Sequence, residues 1–382
     1  LQRGQLIPKG DNKWLVRVFL GRDGNGNRKY RGFSFTGNLR EAEKFRTSKL
    51  AEHDGGTLID ISRQTLDEYM SGWLARNTSG VRPNTLEGYR YTYLHYVSPT
   101  VGHVRLDQLT RAHVQNLYDK LAARGLAPRT VRLAHAVLHQ GLESAVKREH
   151  IARNPAKSPD LPANRRKEVL TLSTAELAVL LQTTEDNVRN WAILAFAGCL
   201  GLRPSEYLAL KWADLDPDSG RVTVQRSLSF LRTGEWYLAD TKRPSSRRSL
   251  LLPVQLRAAL KKVRLEQREA RLAAGSNWSA HDFVFSNTIG EPLSPASVYR
   301  YILKPLLKLA GLPPITLYGL RHTTATNSVK NGMPAIEVSQ LLGHSSVSFT
   351  LDTYVQPASS HLDEALIRMG DMTLGQKYDR GM

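Results

Sequence analysis

Three short segments of this chain gather the side-chain types that phosphoryl transfer uses. The first, Gly198-Cys-Leu-Gly-Leu-Arg-Pro-Ser-Glu-Tyr-Leu-Ala-Leu210, sets Arg203 after an apolar run, with Glu206 three residues on. The second, Thr316-Leu-Tyr-Gly-Leu-Arg-His-Thr-Thr-Ala-Thr326, carries Tyr318, Arg321 and His322. The third runs from Leu341 through Gly343 and His344 to Tyr354. Two guanidiniums can clamp phosphate oxygens bidentately, and donors aimed at the charge that builds in a transition state are usually the largest catalytic contribution. An imidazole adds a third donor, and a phenol can serve as a nucleophile that forms a covalent intermediate. Glu206 reads as the group that orients Arg203 or caps its helix. Each residue type also has a plain structural use: an arginine capping a helix, a histidine opening one, a tyrosine packed in a core.

Charge gives the partner class. The 382 residues hold 53 Lys plus Arg against 35 Asp plus Glu, a formal net charge of +18. A polyanion is the natural counterpart, because each cation facing a phosphate releases condensed counterions. The net charge is +6 over residues 1–56, +8 over 57–167 and +4 beyond, so two anion-holding pieces precede a more balanced one. Hydrophobic residues make up 41%, enough for real cores and well above disordered composition. No apolar run approaches the roughly 20 residues that span a bilayer, and Leu1–Gly10 lacks the apolar stretch of a signal peptide. A cytoplasmic, nucleoid-associated protein is the expectation. The one cysteine, Cys199, excludes an intramolecular disulfide and a thiolate metal cluster. Its apolar surroundings, from Ala192 to Leu200, predict a buried small hydrophobe.

The elements that must position these groups are legible in outline. Residues 12–35 alternate and turn like a small antiparallel sheet: a strand over 12–20, a turn rich in Gly and Asn over 21–27, and a return strand over 28–35. A short polar helix follows, about Leu39 to Glu52. His53-Asp-Gly-Gly-Thr57 reads as a linker. Helical periodicity then predicts helices over Thr65–Arg76, Asn84–Tyr96, Arg111–Arg124 and Pro128–Glu149, with Thr110 opening one and Gly125 ending it. The proline-rich stretch Asn154–Lys167 looks like a hinge. Beyond Val169, Ser173-Thr-Ala-Glu176 has the spacing of a capping box, and strands around Gly220–Pro253 interrupt further helices.

Taken in order, the three segments resemble the tyrosine recombinases, or phage-type integrases. That family carries an arginine in Gly-Leu-Arg-x-x-Glu, a second in Leu-Arg-His-Thr, and Leu-Gly-His ten positions before the nucleophilic tyrosine; Arg203, Arg321, His344 and Tyr354 match. A lysine on a β-hairpin follows the first arginine in the family, and Lys242 fits that place, although Arg243, Arg247 and Arg248 lie on the same hairpin. One position departs: the family usually has histidine three residues before the second arginine, where this chain has Tyr318. A phenol can hydrogen-bond a phosphate oxygen but shuttles protons poorly at neutral pH. His322 is expected to support the fold.

The resemblance covers about residues 60–370 and implies an architecture. The fold is expected to be multidomain and mainly α with β. It comprises a small N-terminal three-stranded β-sheet plus helix (1–56, an arm-type DNA-binding domain), a helical SAM-like core-binding domain (57–163), and a mixed α+β catalytic domain with a C-terminal tail (164–382). It implies transfer of a DNA 3′ phosphate onto Tyr354, with Lys242 protonating the leaving 5′-hydroxyl, and no cofactor, metal or ATP. Implied partners are double-stranded DNA at core and arm-type attachment sites, a homo-tetramer on that DNA, and DNA-bending or excision-directing accessory proteins; no membrane is involved. Residues 360–382, with Leu362, Leu366 and Met369, fit a segment exchanged between neighbours. For DNA holding, Arg17, Arg28, Lys29 and Arg31 lie near the sheet, and Arg82, Arg90, Arg129, Arg132, Lys147 and Arg148 lie on the helices. The N-terminal piece favours integration and excision of a mobile element. A type IB topoisomerase and a catalytically silent DNA-binding regulator are the alternatives.

Overall fold

The structure is a computed structural model. It describes residues 4–22, 26–54, 64–76, 80–164, 169–240, 247–344, 346–354, 367, 369 and 370. The chain divides into two compact units, Leu1–Arg166 and Lys167–Met382.

The first unit opens with a three-stranded antiparallel sheet, β1 (Gly4–Gly10), β2 (Lys13–Arg22) and β3 (Arg28–Thr36), in the order β1-β2-β3. Register pairs Arg17 with Gly32 and Phe19 with Tyr30. Side chains alternate between faces, so Val16 and Val18 are buried beneath α1 (Leu39–Asp54), whose Ala42 is buried with them. Phe33 and Phe35 meet Phe45 of α1 on the same side.

Four helical stretches follow: α2 (Leu66–Arg76), α3 (Pro83–Thr92), α4 (Arg111–Ala123) and α5 (Pro128–Lys147). The helix expected over Asn84–Tyr96 starts one residue earlier and continues past Thr92 as a π-helical segment, Tyr93–Gly102, with Pro99 inside it. Proline has no N–H to donate and so suits this wider turn. Leu66, Met70, Trp73, Leu117, Leu121, Val131, Leu138 and Leu142 form the core between these helices. Thr110 caps α4 as expected, its hydroxyl accepting from the His113 N–H at 3.3 Å.

The segment expected to be a hinge is partly anchored. Asn154 is buried, its amide donating to the His139 carbonyl (3.1 Å) and to Glu143 (2.9 Å). Ala156 is fully buried, and Arg132 holds the Pro162 carbonyl. The linker reading therefore fails for 154–162: a buried asparagine that satisfies neighbouring backbone outweighs the local prolines.

The second unit begins with α6 (Thr174–Gln182) and α7 (Val188–Gly198), then a one-turn helix α8 (Pro204–Tyr207). Strands β4 (Leu215–Asp216), β5 (Arg221–Val224) and β8 (Arg248–Leu251) form one antiparallel sheet, and β6 (Arg226–Phe230) with β7 (Trp236–Asp240) form a hairpin. The long α9 (Val254–Ala274) packs on α7, and α10 (Pro295–Val298) runs through a π-helical segment into α11 (Lys304–Leu309). Last come α12 (Leu317–Lys330), α13 (Ala335–Leu342) and α14 (Val347–Tyr354). Ile193, Leu194, Phe196, Tyr207, Leu208, Val222, Val224, Phe283, Phe285 and Leu320 are among its core. Cys199 is exposed, against expectation. Residues 192–198 and 200–202 are buried on either side of it, and Cys199 turns outward where the chain leaves α7. No helix among the described residues is long and apolar enough to cross a membrane.

The capping box at the start of α6 is present: Ser173 Oγ accepts from the Glu176 N–H (3.2 Å), and Glu176 accepts from the Ser173 N–H (2.7 Å). Ser173→Ala removes one side of it and is expected to lower unfolding free energy by about 1 kcal/mol, read as a lower urea midpoint at unchanged slope.

Candidate active site

The site is built around the end of one helix. Helix α13 stops at Leu342, and Gly343 adopts a left-handed conformation (φ 64°, ψ 48°) that L side chains avoid. The Gly343 N–H returns to the Gln340 carbonyl (3.1 Å) and the His344 N–H to the Ser339 carbonyl (3.0 Å), the paired bonds of a Schellman motif. Three consecutive carbonyls, those of Leu341, Leu342 and Gly343, remain to be satisfied. Each accepts from a different arginine: Arg248 Nε donates to Leu341 (2.8 Å), Arg321 Nη2 to Leu342 (2.8 Å) and Arg203 Nη2 to Gly343 (3.2 Å). Cations at the negative end of a helix dipole are stabilised there.

Local structure delivers each arginine. Arg203 is the N-cap residue of α8, with Pro204 at the first helical position, where proline is favoured. Glu206, at N3, accepts from the Arg203 N–H (3.0 Å) and from Arg203 Nη1 (2.6 Å), so it both caps the helix and orients the guanidinium. Arg321 lies in the second turn of α12, a helix opened by Thr316, whose hydroxyl accepts from the Gly319 N–H. Only 3% of Arg321 is exposed, and its Nη1 donates to the Gly201 carbonyl (2.7 Å). Gly201 has φ 62°, and a Cβ there would come within 2.7 Å of Leu342. The loop carrying Arg203 is thus pressed against the helix end that receives all three arginines. Arg248 opens β8, and its Nη2 also holds Glu206 Oε2 at 2.8 Å.

The charges do not cancel. Arg203, Arg248 and Arg321 face one carboxylate, Glu206, itself 3% exposed. Burial works to raise the Glu206 pKa, but Arg248 and then Arg203 outweigh it and hold the carboxyl below its ordinary value. Arg321 is pushed down to about 9, first by burial, then by the neighbouring Arg203 charge, with Glu206 opposing and Arg248 adding. It stays charged at neutral pH. Among the described residues the cluster holds two surplus positive charges, an unfilled demand for an anion.

His344 and Tyr354 complete the group. His344 Nδ1 is 2.8 Å from the Thr350 hydroxyl, and Thr350 is fully buried on α14. The His344 pKa falls to about 4, through burial first and then Arg321, Arg203, Arg248 and His322, so the ring is neutral at physiological pH. The Tyr354 ring lies parallel to His344 at 6.3 Å and tilted to His322 at 5.3 Å, and it packs on the small apolar cluster of Ala325, Val338 and Leu342. Burial raises its phenol pKa, while Arg321 and Arg203 pull it down. Both arginines therefore act on the tyrosine. Burial and Arg321 also lower the pKa of His322.

The other expected residues fare differently. Tyr318 is 52% exposed one turn before the buried Arg321, and its electrostatic effect falls on the buried phenol of Tyr207. Lys242 lies outside the described residues, in the connection between β7 and β8; β7 itself is anchored by Trp236 Nε1, which donates to Glu291 (3.0 Å). The segment 360–382 lies almost entirely outside them as well. In the sheet, Arg17 and Arg28 share with Tyr30 the face turned from α1, Arg17 stacking over Tyr30 at 4.4 Å. Lys29 and Arg31 alternate onto the opposite face, Arg31 over Phe33 at 5.1 Å. Arg82 is the N-cap residue of α3, and Arg90 is exposed in its last turn. Arg129, Arg132, Lys147 and Arg148 are all exposed, but at opposite ends of α5, about 25 Å apart by helical rise. The sequence offered Arg248 only as one of three hairpin arginines beside Lys242, and gave Thr350 no role. Arg248 had no mark separating it from its basic neighbours, and Thr350 is an ordinary helical threonine by composition.

Comparison with known proteins agrees with this geometry. Residues 171–361 match the family model described as Phage integrase family, and residues 65–122 match the phage integrase N-terminal SAM-like domain. A tyrosine recombinase XerC-like protein of Caldanaerobacter subterraneus is 27% identical, the match covering 97% of this chain and 99% of that one. An integrase of Streptomyces ambofaciens is 29% identical, over 90% of this chain and 89% of the relative. Among solved structures, the Tn1549 transposon integrase in complex with transposon right end DNA superposes with a TM-score of 0.67 at 20% identity, covering 80% of this chain and 100% of that one. A lambda integrase tetramer bound to a Holliday junction gives 0.58 at 19% identity, over 92% and 96%. These two share the fold. The chain belongs to the phage integrase family, the tyrosine recombinases of site-specific DNA recombination.

Gly343 carries a sharp expectation. A Cβ there would lie 2.8 Å from Arg248 Nη1 and force an L residue into the left-handed region. Gly343→Ala should lower stability by at least about 1 kcal/mol and slow strand cleavage on the order of tenfold or more, measured by thermal melting and single-turnover cleavage.

Proposed function

We propose that Tyr354 is the nucleophile of a site-specific integrase that cuts and rejoins DNA through a 3′-phosphotyrosyl intermediate. The observation that carries this reading is the convergence of Arg203 and Arg321, 118 residues apart in the chain, on adjacent carbonyls, with both acting electrostatically on Tyr354. A scissile phosphodiester brings one negative charge, and its pentacoordinate transition state brings a second. The two surplus positive charges of the cluster match that state better than the ground state, which is the condition for rate acceleration.

In this reading Arg203 and Arg321 take the non-bridging oxygens. With the Thr350 hydroxyl donating to Nδ1, His344 carries its proton on Nε2 and donates it to the same phosphate. The phenol of Tyr354 loses its proton to solvent water as its oxygen bonds to phosphorus, the bond from phosphorus to the 5′-oxygen breaks, and the departing 5′-oxygen takes a proton from Lys242. A 5′-hydroxyl of the partner strand then reverses the bond. Because the phosphodiester energy is kept in the phosphotyrosine, the exchange consumes no ATP.

The division of labour follows: residues 1–56 hold arm-type sites, 57–163 hold the core site, and 164–382 perform chemistry. Arg17 and Arg28, with Tyr30 between them, are the sheet residues assigned to DNA. Arg82, Arg90, Arg129, Arg132, Lys147 and Arg148 provide phosphate contacts that fix register without reading sequence. The active assembly is a tetramer on two duplexes, with bending or excision-directing proteins setting direction, and the biological outcome is integration and excision of a mobile element.

Incubation with a nicked suicide substrate carrying the attachment site should give a protein–DNA adduct that survives denaturing electrophoresis. Tyr354→Phe should bind the same DNA and give no adduct. An adduct that persists in Tyr354→Phe would move the nucleophile elsewhere.

A further inference from the structure

We propose that Arg248 is a positioning residue for strand cleavage: without touching DNA, it locks Glu206 onto Arg203 and pins the helix end that presents His344. The proposal rests on the recombinase reading above and adds to it a residue with no assigned role.

Among the described residues, two of its contacts serve two jobs. Nη2 donates to Glu206 Oε2 (2.8 Å), the same oxygen that accepts from the Arg203 N–H (3.0 Å), while Glu206 Oε1 receives Arg203 Nη1 (2.6 Å). Arg248 thereby fixes the plane of the carboxylate, and the carboxylate fixes the direction of the Arg203 fork. Nε meanwhile donates to the Leu341 carbonyl (2.8 Å). Next along the backbone stand Leu342, which receives Arg321, and Gly343, which receives Arg203; His344 follows directly. One guanidinium thus sets the mutual position of a phosphate-clamping arginine and a phosphate-facing histidine.

Burial separates its task from that of Arg203. The Arg248 side chain is 8% exposed against 28% for Arg203, so Arg203 retains a solvent-facing edge for a ligand and Arg248 is enclosed by protein. The Arg248 guanidinium also fills the space over Gly343, where a Cβ would meet it at 2.8 Å. A lysine cannot reproduce this. Its single ammonium has no donor at the Nε position with a second at the end of a fork, so it satisfies either Glu206 or Leu341. Glu206 would then share its charge with one arginine fewer, in a site where a buried carboxylate depends on its partners.

The test uses the full chain and the suicide substrate. Arg248→Lys and Arg248→Met are compared with wild type for DNA affinity by titration and for adduct formation at saturating protein in a single turnover. Affinity should stay within about threefold, while the cleavage rate falls by about tenfold in Arg248→Lys and by a hundredfold or more in Arg248→Met. The second readout is the Glu206→Gln background. Because Arg248 acts through Glu206, adding Arg248→Lys to Glu206→Gln should slow cleavage far less than the product of the two single effects. Should Arg248→Met fail to fold, the lysine variant and the double variant still decide the matter. Unchanged cleavage in Arg248→Lys overturns the proposal. So does an affinity loss that matches the rate loss, since Arg248 would then hold DNA directly, and so do fully multiplicative effects with Glu206→Gln. Wild-type protein that forms no Tyr354-dependent adduct fails the recombinase reading itself, a result distinct from any of these.

Discussion

Three guanidiniums share the last carbonyls of one helix, and the rest of the catalytic unit is arranged around that fact. Leu341, Leu342 and Gly343 offer consecutive acceptors at the negative end of α13, and Arg248, Arg321 and Arg203 reach them from β8, α12 and the start of α8. Like charges placed this close repel, and among the described residues Glu206 is the carboxylate paired with Arg203 and Arg248. The carbonyls hold the cations in place without neutralising them. What results is a fixed positive site, assembled before any anion arrives, in which little reorganisation is left for the moment of reaction. Burial first, and then the neighbouring arginine charges, depress the pKa values of both Arg321 and His344.

Such a cluster is tolerable only in a rigid frame. The Schellman turn at Gly343 puts the carbonyls in a row, and Gly201 lets the Arg203 loop approach Leu342 and Thr324 closely. Thr324 closes the seam by donating to the Gly198 carbonyl at 2.8 Å. Around these contacts, the core of Ile193, Phe196, Leu208 and Leu320 is fully buried, each such side chain contributing about 1.5–3 kcal/mol. Tyr354 sits differently, on the last turn of a short helix beside a small satellite cluster. Tyr354 and the arginines thus meet at the same helix end, Tyr354 by packing against Leu342 and Arg321 by bonding the Leu342 carbonyl.

The sequence made much of this legible, for reasons tied to particular residues. Capping signals are local, so Ser173 with Glu176, and Thr110, announced their helices correctly. The arginines and His344 stood in segments whose spacing is distinctive. Non-local facts were harder. Nothing in the pair Arg247–Arg248 separates the arginine that turns inward from its exposed neighbour, because the distinction is made by Glu206 and Leu341, 42 and 93 residues from Arg248. Cys199 read as buried because the apolar run includes it, yet the helix ends one residue earlier. The prolines of 154–167 suggested a hinge, and the burial of Asn154 and Ala156 ties the first part of that stretch into the first unit, which ends at Arg166. Tyr318, one turn before Arg321 on α12, is half-exposed and takes no part in the three arginine–carbonyl bonds.

The central claim is that the arginine cluster works by meeting negative charge on the phosphate. Its most direct test replaces a non-bridging oxygen of the scissile phosphate by methyl, which removes that charge, and measures cleavage by wild type and by Arg321→Ala. On the ordinary substrate Arg321→Ala should be slower by a factor of about a thousand or more. On the methylphosphonate most of that difference should disappear. An equal loss on both substrates would mean that Arg321 supports the fold and not the charge, and would contradict the account.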